Sequence, residues 1–348
     1  MHSKSFRLVF LILFSLLYNC SKDYNDDITP YTGTNIIETD SELAENLRDI
    51  TNGEISCIEF VYPFNIITYD SFGFEVSVNT VTSNDNFSSL ITNLIEDHTL
   101  SISFPINGIN AEGEEFSINN NEELIIAIRE CVQQEIINNC NSSIRECVWE
   151  VKYINTEDDQ ESPFDQSVFR TTDDYLLQYY HEGNTYRGSW IFYYIEDVLH
   201  LNINLDGNGH DFIEDNWNHD WEVIYNDGDL FELKRGDIIL ILDRKCPPCG
   251  EELNYRSCEL QNFPGIGEFT LAAFSECIYN STEITNTQNY NLSFYETLED
   301  ADTDINRIIN NIYINSTNSQ SLFVRIENIT TLQYEIVEII LEAIECEE

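Results

Sequence analysis

The residues with the clearest capacity for chemistry in this chain of 348 residues are its ten cysteines. Two of them, in Cys246-Pro247-Pro248-Cys249, have the C-x-x-C spacing of a redox dithiol. Such a site needs its first sulfur at a helix N-terminus, which stabilises the thiolate. Here the motif follows the strand-like run Ile238-Ile239-Leu240-Ile241-Leu242, and no helical periodicity comes after it. With Cys258 and Cys277 the pair also has a zinc-type spacing of four thiolates. The third reading, structural disulfides, suits an oxidising compartment and is the one adopted.

Oxygen ligands are dense in Asp206-Gly207-Asn208-Gly209-His210-Asp211-Phe212-Ile213-Glu214-Asp215, which invites calcium. The twelfth position of that loop is Trp217, where an EF-hand needs Glu. His210 and His219, each followed by Asp, have nothing in the sequence to fix their geometry. A solvated loop with no metal is therefore expected. The chain carries 63 Asp+Glu against 16 Lys+Arg, a net charge of −47. Paired carboxylates occur throughout, so none is assigned as catalytic. No phosphate-cradling glycine loop, HExxH or GxSxG is present, and neither enzyme activity nor a cofactor is expected. So acidic a surface repels phosphate backbones, which excludes nucleic acid as a partner.

With 42% hydrophobic residues the chain has enough apolar side chains for packed cores, and its length suggests two or three domains. Residues 1–19 read as a targeting segment: Lys4 and Arg7, then the apolar run Leu8–Leu17. Ten helical residues rise only about 15 Å, half a bilayer core, so this is a signal-peptide core and not a span. Residues 20–45 read as an acidic tether. Residues 46–142 contain a repeat. Tyr62-Pro63-Phe64 with Phe74–Asn79 and the periodic run Phe87–Ile95 is echoed by Phe104-Pro105-Ile106, Glu115–Asn119 and Leu124–Ile128. Each copy predicts a β-hairpin followed by a helix, and together a four-stranded sheet with both helices on one face. Asn120 and Glu123 are spaced to cap the second helix. Its inward face would carry Leu124, Ile128, Cys131 and Val132.

Residues 143–248 change period. Leu199-His200-Leu201-Asn202-Ile203-Asn204-Leu205 alternates without error, and about eight such strands are predicted.

Five resemblances add to this reading. Leu17-Tyr18-Asn19-Cys20 resembles a bacterial lipobox, which implies lipidation at Cys20 and a membrane anchor there. Ser21-Lys22-Asp23-Tyr24-Asn25-Asp26-Asp27 resembles the acidic export signal of flavobacterial-type lipoproteins, implying an outer-membrane protein that faces the medium. The repeat resembles an uncharacterised domain of such lipoproteins. Trp149, Gly188-Ser189-Trp190 and Trp221 resemble a lipocalin-like barrel. With eight strands its interior is expected to be filled by side chains, the alternative being a carrier of a small apolar ligand.

In residues 249–348, Gly265–Leu271, Phe294–Ala301, Leu322–Asn328 and Glu335–Ile339 resemble the Ig-like repeat of flavobacterial gliding-associated adhesins. That implies a β-sandwich in which Phe269, Leu271, Phe294 or Tyr295, and Val324 or Phe323 share one core. The fold class expected is thus multidomain and mostly β: a duplicated ββα domain, an antiparallel lipocalin-like barrel and an Ig-like sandwich. Placed on these modules, the cysteines suggest staples. Cys57 would pair with Cys131, Cys147 with Cys246, Cys249 with Cys258 and Cys277 with Cys346. Cys140 would be left over. The functional expectation is a non-enzymatic surface lipoprotein whose modules bind an extracellular protein or glycan. A thiol-disulfide or metal-binding protein using Cys246 and Cys249 is a further alternative.

Overall fold

The computed structural model describes residues 35–95, 97–154, 163–172, 174–249 and 253–346. Cys20, the apolar leader and most of the tether lie outside them. The chain forms two compact units, one of residues 23–138 and one containing residues 139–348.

In the first unit the elements are β1 (Ile37–Glu38), α1 (Glu42–Asn52), β2 (Ile58–Val61), β3 (Phe64–Tyr69), β4 (Glu75–Val81) and α2 (Asn84–Thr92). They continue with β5 (Thr99–Ile102), β6 (Ile106–Asn110), β7 (Glu115–Ile118) and α3 (Asn121–Arg145), within which the division between units falls. Folded structure begins inside the stretch read as tether. Ser41 caps α1 by accepting from the Ala44 N–H, Gly53 closes it in the left-handed conformation, and Leu43, Ala44, Leu47 and Ile50 are buried. α3 starts on the Asn120–Glu123 capping box, with the Glu123 N–H donating to Asn120 Oδ1 at 2.9 Å. Leu124, Ile128 and Val132 are buried along it, while Cys131 is half-buried in a disulfide with Cys57.

The two hairpins, β3–β4 and β6–β7, form as the repeat predicts, but they do not share a sheet. One sheet runs β1-β5-β3-β4 and the other β2-β6-β7. The strand preceding each hairpin crosses to the other copy: β2 pairs with β6, Phe60 opposite Gly108, and β5 pairs with β3, Ser101 opposite Ile67. A hairpin is specified by its own turn, whereas its third strand is chosen by non-local burial. The exchange replaces the single expected sheet with two, one of four strands that includes β1 and one of three.

The second unit opens with the barrel. Its elements are β8 (Val148–Ile154), β9 (Val168–Thr171), β10 (Leu176–His181), β11 (Asn184–Ile195), β12 (Val198–Asp206), α4 (Asp211–Trp217), β13 (His219–Asn226), β14 (Leu230–Arg235) and β15 (Ile238–Lys245). The eight strands are antiparallel and close in the order β10-β11-β12-β13-β14-β15-β8-β9. Gly188 lies so close to the Asn204 and Leu205 backbone that any side chain there would collide, which accounts for its place in the G-x-W strand.

The interior is packed with rings. Trp149 meets Phe231 at 4.6 Å between centroids, Phe192 meets Phe231 at 5.9 Å, and Trp190 meets Phe192 at 5.9 Å. Where these rings meet, side chains fill the interior. The acidic 206–220 segment differs from the solvated loop expected. Its helix α4 buries Ile213 and Trp217, and Trp217 packs on Phe169 at 4.8 Å and Tyr179 at 5.2 Å as a plug. The two apolar residues decide this, because the helix turns its acids outward while burying them.

The C-terminal module holds β16 (Asn254–Leu260), β17 (Phe263–Thr270), a 3₁₀ turn (Leu271–Phe274), α5 (Ser275–Ser281), β18 (Tyr290–Tyr295), α6 (Leu298–Thr303), β19 (Ile312–Ile314), β20 (Ser319–Asn328) and β21 (Tyr334–Ile344). Its strands form one curled six-stranded sheet, β18-β20-β21-β16-β17-β19, in which β16 and β21 are parallel. Phe269, Leu271, Phe294 and Val324 share one buried core inside the curl, with Tyr255, Phe274 and Leu341. The chain is therefore mostly β and multidomain, with a closed eight-stranded antiparallel barrel.

Two outcomes follow. Trp217→Ala should cost about 3–5 kcal/mol, read as a lower denaturation midpoint. Phe212→Ala, a half-exposed neighbour, should change it little. The second concerns His181, buried at the barrel end with Ser167 Oγ 2.8 Å from its Nδ1. Burial holds its pKa below the ordinary 6.5. The unfolded chain then binds the extra proton first, so this contribution is complete above about pH 6.5 and declines as pH falls towards the folded value. His181→Gln should flatten the stability-versus-pH slope just below that point, as measured by urea midpoints.

Candidate functional site

The chemistry-bearing residues of the second unit converge where the barrel meets the C-terminal module. On β8, β9 and β10 the alternate residues Trp149, Phe169 and Tyr179 point inward. Their neighbours Val148, Val168 and Tyr180 form a second small core with Ala272 and Ala273 of the 3₁₀ turn. The two alanines allow the module's backbone to approach the barrel wall closely. Among these apolar contacts lie polar residues that no alternation rule would place inside: Glu150, Arg170 and Gln178 are all buried.

Arg170 is the hub. Its Nη1 donates to Thr287 Oγ1 at 2.9 Å and to Gln178 Oε1 at 3.3 Å, and its Nη2 meets Glu276 Oε2 at 2.5 Å. The guanidinium also lies over the Tyr279 ring, 5.1 Å from the centroid. Burial alone disfavours its charge, but Tyr180, Glu276 and Tyr279 outweigh that and hold its pKa above the ordinary value. The same enclosure pushes the Tyr279 and Tyr180 hydroxyls up, mainly by burial. Gln178 Nε2 donates to the Thr287 carbonyl at 3.0 Å, and Thr270 Oγ1 donates to Glu150 Oε2 at 2.8 Å. Arg187 extends the network on β11, donating to the Gln288 carbonyl at 2.7 Å and to Asn291 Oδ1 at 2.7 Å.

Beside this network is a cleft of about 510 Å³ that includes Cys147, Cys246, Cys249 and Cys277 in its lining. Cys147 is bonded to Cys246 and Cys249 to Cys277, with Cα separations of 5.2 Å in both. The first bond ties the beginning of the barrel to its end. The second fastens the segment leaving the barrel onto α5. Cys258 is bonded to Cys346.

The expected Cys249–Cys258 and Cys277–Cys346 pairs are thus replaced. The parallel register of β16 and β21 sets Cys258 opposite Ile344, two residues before Cys346, and leaves Cys277 to the junction. Cys140, expected as the spare thiol, is buried. The two sulfurs of the C-x-x-C motif go to different partners, so they do not form a redox couple with each other. All four cysteines of the zinc-type set are disulfide sulfurs, which lack the thiolate a metal needs. Among the described residues no group of three or more His, Cys, Asp or Glu is placed to hold a metal. His219 instead has its Nε2 2.8 Å from the Asp215 carbonyl, and His210 sits edge-on to Tyr186. Cys20 lies outside the described residues.

The arrangement clamps two modules together, with its cations engaged by protein partners and its sulfurs oxidised. Sequence reasoning missed Arg170, Gln178, Glu276 and Thr287. One signal was available: Val168-Phe169-Arg170-Thr171 and Leu177-Gln178-Tyr179-Tyr180 do not alternate as the neighbouring strands do, as expected when both faces of a strand are covered.

A family model described as the Flavobacterium inter-domain disulphide bond domain matches residues 254–347. This is the span whose motifs resemble the Ig-like repeat, and it contains Cys258, Cys277 and Cys346. The match fits a flavobacterial-type chain, and with the disulfides it fits an extracytoplasmic protein. No curated protein and no solved structure matches the chain.

Arg170→Met should destabilise the second unit by about 2 kcal/mol, because buried Thr287 Oγ1 loses its donor at about 1–3 kcal/mol while Gln178 Oε1 keeps the Tyr180 hydroxyl. Glu276→Gln should cost less than about 1 kcal/mol, since that carboxylate is more than half exposed. Paired denaturation curves check the asymmetry; equal costs would mean the cation is not the hub.

Proposed function

We propose that this chain is a non-enzymatic lipoprotein, anchored in the outer membrane through Cys20 and facing the medium, whose modules present binding surfaces to an extracellular protein or glycan. The observation that carries the reading is the oxidised cysteine set: four disulfides close the repeat unit, the barrel, the junction and the C-terminal sheet. Bonds of this kind persist outside the cytoplasm. The apolar leader ending at Cys20 and the acidic residues after it supply the anchor and the direction. Among the described residues no helix is long and apolar enough to cross a membrane. A stiff, stapled pair of modules on a tether suits presentation of a surface, and resemblance to adhesin repeats supplies adhesion as the use of that surface.

The test is labelling of cells with a palmitate analogue, followed by protease treatment of intact cells. The wild-type chain should carry label and be cleaved from outside. Cys20→Ser should remove the label and leave the precursor. Label retained in Cys20→Ser would refute the anchor, and full protection of labelled wild-type protein would refute outward exposure.

A further inference from the structure

The 23–138 unit carries an open groove of about 890 Å³ between α3 and the small sheet β2-β6-β7. One wall is a continuous stripe of α3 from Glu123 to Asn138, with Ile126, Ala127, Glu130, Cys131, Gln134 and Glu135 between. This stripe adjoins the face that buries Leu124, Ile128, Val132 and Ile136. The other wall is the β6–β7 turn and all of β7. Ile58, Phe116, Ile118 and the Cys57–Cys131 bond give the groove an apolar lining.

Charge and backbone both restrict the occupant. Six glutamates line the groove, at positions 112, 114, 115, 123, 130 and 135, and no Lys, Arg or His does. Three already serve the fold. Glu123 caps α3, Glu115 accepts from Asn107, and Glu135 accepts from the Ser56 N–H and hydroxyl. Glu112, Glu114 and Glu130 remain exposed along the rim. β7 is the edge of its sheet. The Asn110 N–H donates to the Glu114 carbonyl, so in an antiparallel ladder the main-chain groups of Phe116 and Ile118 face β6. Those of Glu115 and Ser117 face outward. Such an edge accepts a further strand.

We propose that this groove binds an extended basic peptide segment that adds to the β7 edge, sets apolar side chains on Phe116 and Ile126, and places Lys or Arg against Glu112, Glu114 and Glu130. The α3 stripe is about 22 Å long at ~1.5 Å per residue, which suits about seven extended residues. The proposal gives the presented module a partner class. It rests on the function proposed above only for where the encounter occurs, and its test in solution is independent of anchoring.

The probe is a labelled heptapeptide, Lys-Val-Lys-Leu-Arg-Val-Lys, titrated with the full chain by fluorescence anisotropy near physiological salt, where exposed charges are screened beyond about 8 Å. Three rim charges should be worth about tenfold in Kd, so the combined variant Glu112→Gln, Glu114→Gln, Glu130→Gln should lose about that much. A control with Glu222→Gln, Glu232→Gln and Glu338→Gln removes equal charge elsewhere and should bind as wild type. Ser117→Pro removes the outward N–H at an edge that tolerates proline, and should weaken binding comparably with an unchanged circular dichroism spectrum. Equal weakening in the control, undiminished binding by Ser117→Pro, or displacement of the peptide by an equal concentration of spermine would each overturn the proposal.

Discussion

A barrel wall with no solvent face is the constraint on which the second unit depends. Where β8, β9 and β10 meet the C-terminal module, one side chain of each adjacent pair enters the barrel and the other enters the junction. An all-apolar wall would satisfy packing but would leave the module free to settle in several orientations. The wall carries Glu150, Arg170 and Gln178, and each needs a particular partner across the junction. A buried guanidinium without acceptors is costly, so the position that gives Arg170 both Glu276 and Thr287 is favoured over its neighbours. Polar residues here select one docking arrangement, while Ala272 and Ala273 allow the contact to close.

The disulfides act on the same contact from the unfolded side. Cys147–Cys246 closes a loop of 99 residues and Cys249–Cys277 one of 28, and the two lie in one cleft. Each reduces the freedom of the unfolded chain, and the effect grows slowly with loop length. The Cys246 and Cys249 sulfurs, three residues apart, therefore serve as two stitches, one closing the barrel and one fastening the module. The matched family's description fits the second stitch, which runs from Cys249, outside the matched span, to Cys277 within it.

How much of this was legible varied with the range of the interaction. The alternation from Leu199 to Leu205 announced a barrel strand with one buried face, and Asn120 with Glu123 marked the start of α3, because both signals are local. Gly188 stood out for a reason the fold makes clear, a backbone approach with no room for Cβ. Strand exchange between the repeats left no trace, since β2 and β5 carry the same apolar pattern whichever hairpin they join. The partners of Cys249 and Cys258 depended on a parallel register between β16 and β21, strands more than seventy residues apart. Trp217 was hidden by its acidic surroundings, which suggested solvent where two apolar residues were enough to make a plug. Arg170 was not singled out because its acceptors Thr287 and Glu276 lie more than a hundred residues away.

The central claim is that barrel and C-terminal module unfold as one body because they share the Arg170 wall. All four tryptophans, 149, 190, 217 and 221, lie in the barrel unit, so their fluorescence reports the barrel alone. Amide exchange at Ile326 and Leu341, in the core of the curled sheet, reports the module. Equilibrium denaturation of the oxidised full-length chain followed by both signals should give coincident midpoints. A module that loses amide protection well before the tryptophan signal moves would contradict the account.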